Sequence, residues 1–157
     1  MRTLAQAGAP TPGTSFGTIG IMPKAKAPLY PFTPKSNRYL LPGQFWAVPL
    51  SDGRFGCGRV IAVPGFGPKD RVGFFLGLMD WIGSEPPTYD SLAGVGVVTQ
   101  AKAHFEAISK TGGSVLGLRP LDLDGIFAVL PGYAVGAVHR VWGWHTIVDR
   151  AEQLAEH

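Results

Sequence analysis

Residues 44–63 read QFWAVPLSDGRFGCGRVIAV, a pattern that predicts two strands folded back on each other about Ser51-Asp52-Gly53. In the first arm Phe45, Ala47 and Pro49 alternate with Trp46, Val48 and Leu50. Both sets are apolar, so this arm is expected to be covered on two faces. Asp52 can bond its own downstream backbone, and Gly53 accepts the positive φ of a tight hairpin. In the second arm Gly56 and Gly58 flank Cys57. A glycine inside a strand marks a bulge or a close approach by another part of the chain.

The same stretch carries a family likeness. Pro42-Gly43, Phe45-Trp46, Pro49-Leu50, Asp52-Gly53, Phe55 and Gly58-Arg59-Val60 resemble the opening of the bacterial immunity protein 26 family: a Pro-Gly, an aromatic strand, Pro-Leu, a D-G turn and a G-R-V strand. A looser likeness continues through Phe74 to Gly77 and into Ala107, Ile108, Gly112 and Gly117. The resemblance implies an immunity protein of a polymorphic toxin system. Such a protein binds a cognate toxin in the cytoplasm and blocks its active site or maturation, with no catalytic machinery and no cofactor.

With 157 residues, 45% of them hydrophobic and 16% charged, the chain is long enough to bury a core without staples. The 22 glycines and 14 prolines favour short strands and many turns over long helices. Cys57 is the single cysteine, so neither an internal disulfide nor a thiolate zinc site is available to the chain alone. A reducing, cytoplasmic setting is expected. No apolar run approaches the length of a membrane span, and AQAGAPTPGTSFG after Arg2-Thr3-Leu4 is too broken for a signal-peptide core.

The formal charge of +3 is unevenly spread. Residues 1–38 hold five of the fourteen bases and none of the eleven acids, leaving nine bases against eleven acids, or −2, for the rest. A mildly acidic body argues against nucleic acid as its partner, which requires a basic face. Residues 1–42 contain seven prolines and read as an extended or disordered basic arm, with residues 43–157 as one β-rich domain. Met22 is a candidate start. Tyr30, Phe32, Tyr39, Leu40 and Leu41 are candidates to pin the later part of the arm to the body.

Beyond the hairpin, Gly73 and Gly77 favour a strand over a helix in residues 71–82. Pro86 and Pro87 remove two backbone donors and make residues 84–89 an exposed loop, and a helical turn is expected over 88–92. Residues 95–105 alternate as a half-solvated strand, with a helix over 101–110 as the competing reading. Short strands are expected at 114–118 and 126–130, a long strand region bent at Gly136 and Gly143 over 133–144, and a turn at 121–125. Ile147, Ala151 and Leu154 at helical spacing predict a terminal helix. The fold class expected is α+β: a strongly bent antiparallel sheet, of the kind that closes into a small SH3-like barrel, with one C-terminal helix.

No nucleophile elbow or phosphate-binding glycine loop is present. Cys57 between glycines reads as a packing residue. His139 and His145 bracket VWGW without metal-site spacing. Asp122 and Asp124 could raise one another's pKa if extended, yet before Gly125 they read as a solvated turn. Trp144 is either core or a binding anchor. The partner-binding candidates are therefore Asp80, Glu85, Asp90, Asp122 and Asp124, acids in or near loops, together with Trp144. Two other readings stand beside toxin binding. One is an SH3-like nucleic-acid module using the basic arm. The other is a small enzyme formed where loops from Ser84 and Asp122 meet His139 or His145.

Overall fold

The computed structural model describes residues 28–63, 70–127 and 141–157. Strand β1 (Gln44–Pro49) and strand β2 (Phe55–Ala62) form the expected hairpin, pairing Phe45 with Arg59, Ala47 with Cys57 and Pro49 with Phe55. Its turn is closed by Leu50 N–H to Arg54 O at 2.9 Å and by Arg54 N–H to Asp52 Oδ1 at 2.9 Å. Gly53 takes φ +90°. Strand β3 (Gly73–Gly83) and strand β4 (Val97–His104) extend the antiparallel sheet from β2. A single helical turn, α1 (Glu106–Ser109), follows. Strand β5 (Val115–Leu118) pairs antiparallel with β1, and strand β6 (Val141–Trp142) lies parallel to β4. Helix α2 (Thr146–Ala155) ends the chain.

The spatial order is β5-β1-β2-β3-β4-β6, an open mixed sheet and not the closed or strongly bent antiparallel one expected. The glycines explain the difference. A Cβ on Gly58 would stand 2.3 Å from Trp46 Cζ2, and one on Gly77 would meet Ile61 Cδ1 at 3.0 Å. These glycines make room for large side chains lying flat on the sheet, so their presence reports space and not curvature. Register shifts do occur in β1–β5, β2–β3 and β3–β4, but β5 and β6 end the order without pairing to each other.

Both faces of the sheet are apolar, as the alternation in β1 requires. On one side Trp46, Val48, Val60, Phe74, Leu76 and Leu78 pack with Ile108 and with Ile147 and Ala151 of α2. On the other, Phe45, Cys57, Ile61, Phe75 and Met79 pack with Leu92 and Ile126 from loops. The first side is closed by a helix and the second by connections.

Local outcomes follow this division. The strand expected within residues 71–82 is β3, Gly73–Gly83, Asp90–Leu92 is a 3-10 turn, and the helix competing for 101–110 shrinks to α1 because β4 runs on to His104. Ile126 and Phe127 are not in a strand; residues 128–130 and 133–140 lie outside the described residues, and of the last expected strand's described part, 141–144, Val141–Trp142 is strand while Gly143 and Trp144 are not. Within residues 28–42, Phe32 bridges Val115, Leu40 is buried and Asn37 Nδ2 donates to Gly73 O at 2.9 Å. The later arm is therefore ordered against the body, while residues 1–27 lie outside the described residues.

Candidate interaction face built on a buried arginine

Arg59 occupies a position in β2 that apolar neighbours would fill: Cys57 and Ile61 share its face, and its side chain is wholly buried. A buried guanidinium requires a counter-charge and acceptors. Its Nη1 donates to Asp124 Oδ2 at 3.0 Å and its Nη2 to the carbonyl of Arg119. Its Nε has no hydrogen-bond partner among the described residues.

Asp124 is reached from three directions. Arg119 grips it with two bonds, Nε to Oδ2 at 2.8 Å and Nη2 to Oδ1 at 3.0 Å, and the Gly94 amide donates to Oδ1 at 2.9 Å. The Arg119 hydrogen bonds hold the carboxyl well below the usual carboxylate range, against the opposing effect of burial, with the Gly94 amide and Arg59 adding to the depression. Arg119 in turn lies 4.8 Å from the Tyr89 ring centroid, a cation–π distance. Local sequence makes the geometry available. Residues Leu121–Asp124 form a 3-10 turn that Gly125 ends at φ +67°, with Gly125 N–H donating to Asp122 O. That turn points Asp124 inward and leaves Asp122 outside.

The result is a clamp. It ties the loop after β3, through Gly94 and Tyr89, and the 3-10 turn, through Asp124, to the middle of the sheet. Leu92 and Ile126 plug the same face with apolar contacts.

The acids singled out in the sequence divide accordingly. Glu85, Asp90 and Asp122 are exposed, in or beside the clamped loops, whereas Asp80, also exposed, lies within β3, where alternation with Met79 and Trp81 turns it toward the α2 side of the sheet. The Asp80 amide donates to Gly96 O at 2.9 Å, so its backbone stays within the sheet. Asp124 is different: its carboxylate is sealed, so it braces the face and is not presented on it. Trp144 is separated from Glu85, Asp90 and Asp122, since it precedes α2 on the opposite side of the sheet. There it is partly exposed, 5.0 Å from the His145 ring, with Lys110 Nζ 5.6 Å from its centroid.

Beside the clamp, Tyr30, Phe45, Pro87, Thr88, Tyr89 and Leu116 line a groove of about 450 Å³. Gly117 opens its floor, because a Cβ there would sit 3.0 Å from Phe45 Cζ. The sequence held a signal for the clamp, an arginine in an otherwise apolar strand. It held none for the groove, whose walls come from four distant segments.

Cys57 is buried, and burial pushes its thiol well above the ordinary range, which suits packing and not nucleophilic chemistry. His145 pairs with Asp149 at 3.1 Å on an exposed turn of α2; His139 lies outside the described residues. Among the described residues no three His, Cys, Asp or Glu side chains group as a metal site, and no described helix is long and apolar enough to cross a membrane. Comparison of the chain with protein-family models, with curated proteins and with solved structures finds no match.

Proposed function

We propose that this chain is a binding protein that neutralises a bacterial toxin, using the loops clamped over the Phe45 side of the sheet as its docking face. The likeness of the first hairpin to immunity proteins motivates the class of partner. The Arg59–Asp124–Arg119 clamp is the observation that carries the choice of face. Loops that are ordered before binding lose less entropy on association, and a carboxylate taking four hydrogen bonds from three residues fixes two loops at once. What those loops hold toward solvent is Glu85, Asp90 and Asp122, together with Tyr89 and Leu123 at 46% and 55% exposure.

Acids around an aromatic centre fit a partner with a basic active-site rim, such as an enzyme that handles phosphates. Binding in the cytoplasm of the producing cell, without turnover and without a cofactor, completes the reading. The test is co-expression with toxin domains encoded beside this chain. Survival of cells carrying the wild-type chain, lost when Asp90 and Asp122 are both changed to lysine, supports it. Survival that is absent, or indifferent to those changes, removes it.

A further inference from the structure

The groove between Tyr30 and Tyr89 has a hydrogen-bonding character that narrows what can occupy it. Tyr30 Oη already accepts from Gln44 Nε2 at 3.2 Å, and Thr88 Oγ1 already accepts from the Ser91 amide at 3.1 Å. Each hydroxyl therefore has its own hydrogen left to donate. Pro87 contributes no amide and the Phe45 floor is apolar. The site thus offers donors and ring surface.

A ligand that matches must bring carbonyl acceptors, few N–H groups and apolar bulk. A proline-rich extended segment meets all three conditions, since its prolines lack N–H, its carbonyls point outward and its conformation is largely set before binding. Charge decides what flanks it. Glu85 and Asp90, both exposed, bracket the Pro86–Tyr89 wall, while the Arg119 guanidinium beside Tyr89 is already held bidentately by Asp124.

We infer that the Tyr30–Tyr89 groove binds a proline-rich, extended segment of the partner protein bearing a lysine or arginine beside the prolines. The inference rests on the docking face proposed above and names the chemistry of the segment the partner offers there. Asp90 receives the cation, Tyr30 and Thr88 donate to peptide carbonyls, and proline rings pack on Tyr89 and Phe45.

The test uses the full chain, isotopically labelled, titrated with a synthetic proline-rich peptide ending in lysines. Control peptides replace its prolines by alanine or its lysines by glutamate. Amide shifts are expected at Thr88, Tyr89 and Leu116. The glutamate peptide should bind about threefold more weakly and the alanine peptide about tenfold more weakly. Thr88→Lys should abolish the shifts, and Asp90→Asn, a milder surface change, should erase the preference for lysine over glutamate. Shifts confined to other residues, or equal affinity for the alanine peptide, would overturn the groove assignment. Toxin neutralisation that persists alongside that result would leave the immunity reading standing. Peptide binding without neutralisation would leave the groove standing and remove the immunity reading.

Discussion

Asp124 Oδ2 lies 3.0 Å from Arg59 Nη1, and neither side chain reaches solvent. Breaking one side of a buried pair leaves the other charge unpaired, which costs about 3–5 kcal/mol. Asp124→Ala should therefore be among the most damaging single changes in the chain. A fall in melting temperature of roughly 10 °C follows for a domain of this size. A variant that melts within a degree or two of wild type would show that the clamp contributes little to stability.

Acid should expose the same dependence. The Arg119 bonds, with those from Gly94 and Arg59, depress the folded-state pKa of Asp124. A depressed carboxyl contributes stability that is present above its unfolded pKa of about 4 and is lost as pH falls through the folded value. Unfolding by urea measured from pH 6 down to pH 2 should show wild type losing stability more steeply than Asp124→Asn, whose side chain does not titrate. Parallel curves would contradict this.

Two glycines in the same sheet region should behave oppositely. A Cβ on Gly58 would strike the Trp46 indole at 2.3 Å, whereas one on Gly96 meets nothing within 4 Å at an ordinary φ. Gly58→Ala is expected to cost about 1–3 kcal/mol through overpacking. Gly96→Ala should be neutral or stabilise by about 0.5 kcal/mol through the unfolded chain. Equal effects in chemical denaturation would refute the assignment of Gly58 to a close approach.

Cys57 offers a probe of the whole core. It is fully buried between the glycines of β2, and burial raises its thiol pKa. A thiol reagent should label it only as fast as the protein unfolds. Rapid labelling of the folded chain would place the sulfur at a surface.

Residues 44–63 showed their structure openly because two signals coincided there: strict alternation over β1 and a turn triplet with one conformational solution. The sheet's closure was misread from the glycines, since sequence does not distinguish a glycine that lets a strand bend from one that lies beneath a tryptophan. Asp124 was misread for a related reason. Next to Gly125 it looks like a solvated turn residue, and its partner Arg59 stands 65 positions away, a pairing no local pattern displays. Arg59 itself is conspicuous as a charge among apolar residues, a signal that it needs a buried counter-charge but not of which acid supplies it. Nothing in the sequence separates Trp144 and Asp80 from Glu85, Asp90 and Asp122, whereas the sheet puts the first two on the α2 side and the other three beside the clamp.

The proposed docking face is tested most directly by titrating the isolated wild-type chain into candidate toxin domains encoded by neighbouring genes, at low and high salt. A one-to-one complex is expected, weakened by added salt and weakened further by Asp90→Lys combined with Asp122→Lys, while Trp144→Ala on the opposite side leaves affinity unchanged. A complex that ignores the two charge reversals but is lost with Trp144→Ala would place binding on the other face of the sheet and contradict the account.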